Sequence, residues 1–173
     1  MKRNLYYFLI LLLFCAAQIF IFERLHLGPF LYPCIYVLFI LLFPFGYNTS
    51  YLMLWAFAMG LSVDLCTGSP GMHASACVCL AFLRPNVLKL VTIKGEVGLL
   101  VTPTLRTIGF SRYLVFVSIS LLIHHAVLFG WECFKISWIH LAIYRILCST
   151  ALNTILVVLI QAAFFNKRRS IEI

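Results

Sequence analysis

Apolar residues fall along this chain in long unbroken runs, with the polar ones collected in short breaks between them. The runs cover residues 5–22, 30–45, 51–65, 69–83, 113–129 and 138–165. A membrane helix needs about 20 mostly apolar residues, so the pattern predicts an all-α, six-helix transmembrane bundle in one polytopic domain, 1–173. The first breaks carry turn chemistry, Glu23-Arg24-Leu25-His26-Leu27-Gly28-Pro29 and then Gly46-Tyr47-Asn48-Thr49-Ser50. Pro33 and Pro44 lie near the ends of the second run, where a helix tolerates them. The third and fourth runs are short for a bilayer, which predicts tilted neighbours or local thinning. Between them Gly68 and Gly71 allow a tight turn, and Ser69 with Pro70 reads as the N-cap and first position of the fourth helix. Arg84-Pro85 reads as its stop. Residues 84–112 then mix apolar residues with Arg84, Lys89, Lys94, Arg106 and Arg112, a composition that predicts an interfacial loop with its basic groups toward anionic lipid headgroups.

Composition strengthens the membrane reading. The chain is 64% hydrophobic and only 10% charged, with a mean hydropathy of +1.06, where a soluble domain carries roughly 25% charged residues. Its 173 residues leave room for the bundle and little else. Continuous apolar runs in place of alternation argue against a membrane β-barrel. The formal net charge of +8 does not point to nucleic acid, because the basic residues sit between and after apolar runs rather than along a polar face. They read as topology. With six spans, Lys2, Arg3, the 84–112 loop and Lys167 to Arg169 share one side, leaving Arg24 and Lys135 on the other. Positive residues stay cytoplasmic, so both termini are expected inside. The basic start Met1-Lys2-Arg3-Asn4 before a long run reads as a retained first helix rather than a cleaved signal.

The candidate chemistry lies at the few polar positions within the runs. Asp64 is an ionisable residue in an apolar segment, a candidate functional site by default, and Gly60 shares its helix face. His124 and His125 sit in the fifth run with Ser120, while Arg145, Ser149 and Asn153 form an i, i+4, i+8 line in the sixth. Such side chains face a bundle interior, as hydrogen-bonding glue or as a site. Counting about 1.5 Å per residue puts Asp64 and Arg145 at similar depths, which predicts an ion pair with Ser149 or His124 as further partners. Proteolysis is disfavoured: Ser62 lacks the flanking glycine of an intramembrane serine protease, and Asp64 lacks the second carboxylate of an aspartyl one. The seven cysteines, Cys15, Cys34, Cys66, Cys77, Cys79, Cys133 and Cys148, show no metal spacing. Cys34, Cys66 and Cys133 fall near the outer side, where a disulfide is conceivable, although scattered cysteines in apolar runs usually pack.

The stretch Gly60 to Ala76, with Gly60, Asp64, Gly68, Gly71-Met72-His73-Ala74 and then Arg84-Pro85, resembles the rod shape-determining MreD family, in particular its Bacteroides-type members. Length, span count and basic C-terminus extend the resemblance over most of the chain. It implies a non-enzymatic inner-membrane component without a cofactor. Such a protein binds the membrane segment of MreC and connects MreB filaments, RodA and a class B transpeptidase. The resemblance also implies a fold similar to the substrate-binding S components of energy-coupling-factor vitamin transporters, which makes a transporter subunit the rival function.

Overall fold

The computed structural model of the protein describes residues 2–25, 27–93, 98–131 and 139–164. Helix α1 spans Lys2–Ala17 and continues through a π-helical turn, Gln18–Phe22. Short α2 covers Val37–Leu41, α3 Thr49–Thr67, α4 Met72–Val91, α5 Leu105–Ile108, α6 Phe110–Gly130 and α7 Ile139–Phe164. Five of these, α1 with its extension, α3, α4, α6 and α7, are long and apolar enough to cross a membrane. Large apolar side chains such as Leu13, Leu65, Leu147 and Leu159 cover their outer faces. Those faces suit lipid, which is as apolar as they are.

The expected second helix, 30–45, is corrected. Only Val37–Leu41 is helical, and residues 31–35 have no regular structure. Yet Cys34, Tyr36, Val37 and Leu38 are wholly inaccessible (0%). Irregular backbone at membrane depth is tolerated where protein buries it, and here the segment threads the middle of the bundle.

Contacts sort the chain ends. Glu23, Thr67, Ser69 and His73 line one cavity, and the Trp131 indole donates to Ser75 Oγ at 3.0 Å. At the other end Asn4, Gly46, Asn48 and Leu99 meet, and the amide of Gly46 donates to the carbonyl of Leu99 at 2.7 Å. The chain therefore passes from end to end as α1, the threaded segment, α3, α4, α6 and α7. Five of the six expected helices are present, and the threaded segment stands in place of the sixth.

Helix limits follow local chemistry. The Asn48 side-chain oxygen accepts from the amides of Ser50 and Tyr51, opening α3. Gly68 and Gly71, at φ +71° and +80°, make the α3–α4 turn in a left-handed conformation that only glycine adopts freely. The span of α3 is 19 residues and that of α4 is 20, so the two are not short as expected. Helix α4 begins at Met72 with Gly71 as its cap, because Ser69 is engaged elsewhere, as described below. It also runs through Arg84-Pro85 to Val91. Pro85 removes one helical hydrogen bond, but Arg84 is anchored inside the bundle and holds the helix in place. The interfacial loop is accordingly shorter than 84–112. Leu99 and Leu100 stand exposed within it, the short α5 follows, and α6 starts at Phe110. Helix α4 lies at the centre, packed on α3 and on α6, with α7 against α6.

Candidate functional site

The motif residues of the α3–α4 hairpin come together. Helices α3 and α4 touch at Gly60, where an added Cβ would lie 2.5 Å from Ala74 Cα and 2.6 Å from His73 O. Both obstacles are backbone. The glycine is therefore required by the close approach, and that approach brings the Asp64 carboxylate onto the buried amides at the start of α4. Asp64 Oδ1 accepts from Ser69 Oγ at 2.5 Å and from the amide of His73 at 3.0 Å, while Oδ2 accepts from the amide of Ala74 at 2.9 Å. A helix start leaves amides without intrahelical partners and carries partial positive charge, so a buried carboxylate is well placed there. This is an N-cap supplied by the preceding helix. The ion pair expected between Asp64 and Arg145 is replaced by it: the carboxylate's hydrogen bonds all stay within the hairpin. Arg145 instead stands over the Phe129 ring at 4.4 Å, a cation–π contact.

The polar line of α7 does face inward, and its work is to satisfy the threaded segment. Ser149 Oγ donates to Phe30 O at 3.1 Å and accepts from the amide of Tyr32 at 3.2 Å. Asn153 Oδ1 accepts from the amide of Cys34 at 2.6 Å, and its Nδ2 donates to Tyr32 O at 2.7 Å. Gln18, which the sequence reading passed over, does the same from the opposite side. Its Nε2 donates to Pro33 O at 3.0 Å and its Oε1 accepts from the amide of Ile35 at 2.9 Å. The signal was present, since Gln18 is the one amide in the run 5–22.

Arg84 is a correction. Expected at the interface, it is 1% exposed, and its guanidinium donates to the carbonyls of Leu41, the last residue of α2, and of Phe43 just beyond it. A cation is favoured at the negative end of a helix. Lys89 and Arg106 are exposed at the end of the bundle near Leu99, and Arg112 is half-buried in the first turn of α6. Lys94 lies outside the described residues.

Tyr36, in the threaded segment, joins two histidines. Its hydroxyl is 2.7 Å from His73 Nδ1 and 3.1 Å from His124 Nε2. His125 Nδ1 lies 3.2 Å from Thr150 Oγ1, and its ring stacks on Phe129 at 5.6 Å. Ser62 donates to Ala58 O within its own helix and so takes no part with His124. The sequence shows no metal spacing, yet the fold brings Cys34, His124 and His125 together, with ligand atoms within 4.8 Å of one another. Cys34 and Cys66 are free thiols, the first buried and the second exposed, so no disulfide joins them. Cys133 lies outside the described residues.

One polar cavity opens near the α3–α4 turn, about 170 Å³, lined by Glu23, Tyr32, Ser69, His73 and Arg145 among others. Tyr32 donates to Glu23 Oε2 at 2.7 Å across its wall. An apolar groove of about 520 Å³ lies between α1, residues 39–44 and the end of α7. No family model, no curated protein and no solved structure matches the chain.

Proposed function

We propose that this chain is a non-enzymatic scaffold of the MreD type in the cell-elongation machinery of a bacterial inner membrane. In this reading it binds the membrane segment of MreC, and through it links MreB filaments to RodA and a class B transpeptidase. The observation that carries the proposal is the hairpin latch: Gly60, Asp64, His73 and Ala74, the residues on which the family resemblance rests, interlock α3 with α4. A motif spent on helix packing belongs to a protein whose product is a surface. Further support comes from the inward polar residues Gln18, Arg84, Ser149 and Asn153, all engaged with backbone of the threaded segment. The groove beside α1, lined by Leu13, Phe14, Phe39 and Phe164, has the apolar character that a partner helix in lipid requires. Both termini are then cytoplasmic, with Lys89, Arg106 and Arg112 toward anionic headgroups.

The polar cavity favours a second reading, a substrate-binding S component of a vitamin transporter. Its volume of about 170 Å³ is below the roughly 300–1,000 Å³ of small-molecule pockets, which weighs toward the scaffold. Purifying the tagged chain from its native membranes separates the two. MreC and cell-wall synthases are expected to accompany it. An ATPase pair with a transmembrane coupling subunit would instead establish the transporter.

A further inference from the structure

Among the described residues, a cluster of metal-ligating side chains sits where the threaded segment meets α6. Cys34, His124 and His125 are all fully inaccessible (0%), and Sγ and one nitrogen of each ring lie within 4.8 Å of one another. Both rings keep one nitrogen for hydrogen bonding and leave the other poorly served. His124 Nε2 meets the Tyr36 hydroxyl at 3.1 Å, while its Nδ1 is buried with no hydrogen-bond partner. His125 Nδ1 meets Thr150 Oγ1 at 3.2 Å. Its Nε2 has only Asn153 Nδ2 at 3.3 Å, and that amide, with two hydrogens, is closer to Tyr32 O at 2.7 Å and Ser149 O at 2.8 Å. One ring nitrogen anchored by a protein oxygen, with the other unpartnered in His124 and only weakly engaged in His125, resembles the arrangement of histidines that ligate metals.

We propose that Cys34, His124 and His125 form a buried binding site for one Cu(I) ion in a three-coordinate shell. Ligand softness and charge both select this ion. Thiolate with imidazole suits soft, late transition metals. A thiolate and a monovalent ion sum to zero charge, which matters at a place from which water is excluded. Zn²⁺ on the same ligands would leave a net positive charge and want a fourth ligand. Metal-to-ligand distances of roughly 2.0–2.3 Å require the three side chains to draw in by about 1 Å. On binding, the Cys34 thiol gives up its proton to solvent and its sulfur takes the cation, so one proton leaves per ion and affinity rises about tenfold per pH unit. An occupied site would tie the threaded segment to α6.

The test uses the full chain in detergent under anaerobic, reducing conditions, with Cys15, Cys66, Cys77, Cys79, Cys133 and Cys148 replaced by Ala. Titrated with Cu(I) against bicinchoninate, this Cys34-only chain is expected to hold one copper, with an X-ray absorption shell of one sulfur and two imidazole nitrogens. His124→Ala and Cys34→Ser should each weaken binding about 100-fold or more, by analogy with the loss of metal-orienting groups. Failure to retain copper against the chelator overturns the proposal. So does a shell lacking sulfur or imidazole, or a preference for Zn²⁺ over Cu(I). If the multiply substituted chain does not survive purification, the same spectrum on the wild-type chain decides, since a shell of sulfur alone excludes the two histidines.

Discussion

Asp64 shows how one side chain in an apolar run is made affordable. Its carboxylate takes the amides of His73 and Ala74 and the hydroxyl of Ser69, so burial costs it little of the hydrogen bonding that water would give. Asp64→Asn keeps the shape but turns an NH₂ toward a backbone donor. We expect it to cost about 1–3 kcal/mol, the usual penalty for a buried polar group left unmatched, measured by thermal unfolding in detergent. An unchanged midpoint would show that the cap contributes nothing. Gly60 makes a sharper case, because a Cβ there would lie 2.5 Å from the Ala74 backbone. Gly60→Val should therefore destabilise by about 1–3 kcal/mol or more through overpacking, and Gly60→Ala should already be felt. A tolerated valine would mean that α3 and α4 part easily. For Arg84, whose guanidinium holds the carbonyls of Leu41 and Phe43, Arg84→Met should lose about 1.5–3 kcal/mol, as for a hydrogen-bonded charged donor. If Arg84 instead lay at the headgroups, the change would fall within about 0.5 kcal/mol.

At the level of elements, the threaded segment decides the architecture. A helix satisfies its own backbone, but residues 30–36 do so only at their end, where the carbonyls of Ile35 and Tyr36 accept from the amides of Leu38 and Phe39; the polar backbone groups before them need partners from elsewhere in the bundle. Gln18, at the start of the π-helical turn after α1, and Ser149 and Asn153 of α7 provide such partners. Asn153→Leu would strand the amide of Cys34 and the carbonyl of Tyr32, at about 1–3 kcal/mol for each group. Leu159→Ala on the exposed face of the same helix should stay within about 0.5 kcal/mol. Denaturation by sodium dodecyl sulfate compares the two, and equal midpoints would remove the special role of Asn153. The contrast also explains what was legible beforehand. The runs containing α3, α4, α6 and α7 were readable because an outer face suited to lipid is apolar over a helix's length. Residues 30–45 are equally apolar for a different reason, burial inside protein, and hydropathy alone cannot separate the two. Pro33 was the available hint. The inward direction of Ser149 and Asn153 was readable from their spacing, but their partners were not, since backbone atoms leave no mark in a sequence. The Cys34, His124 and His125 cluster was hidden for a related reason: it depends on a crossing of two segments far apart in the chain.

Over the whole molecule, charge and geometry agree on two unlike ends. Lys89, Arg106 and Arg112 lie at the end that also holds the α1 start and Leu99, whereas Arg24 lies toward the α3–α4 turn. Basic groups near an anionic cytoplasmic leaflet are each worth about 1 kcal/mol, and by the positive-inside rule the end with the excess is expected to face the cytoplasm. The structure supplies a reporter for each side. Cys66 is an exposed native thiol in the last turn of α3, and Leu100 is 87% exposed in the loop at the basic end. In a background lacking the other cysteines, a membrane-impermeant maleimide added to intact cells should label Cys66. With Leu100→Cys in place of Cys66, labelling should appear only after the membrane is opened. The reverse pattern would invert the bundle and put the polar cavity by Glu23 and His73 on the cytoplasmic side. Labelling of both positions from outside would mean that these few charges do not suffice to fix the orientation, and that a partner protein must do so.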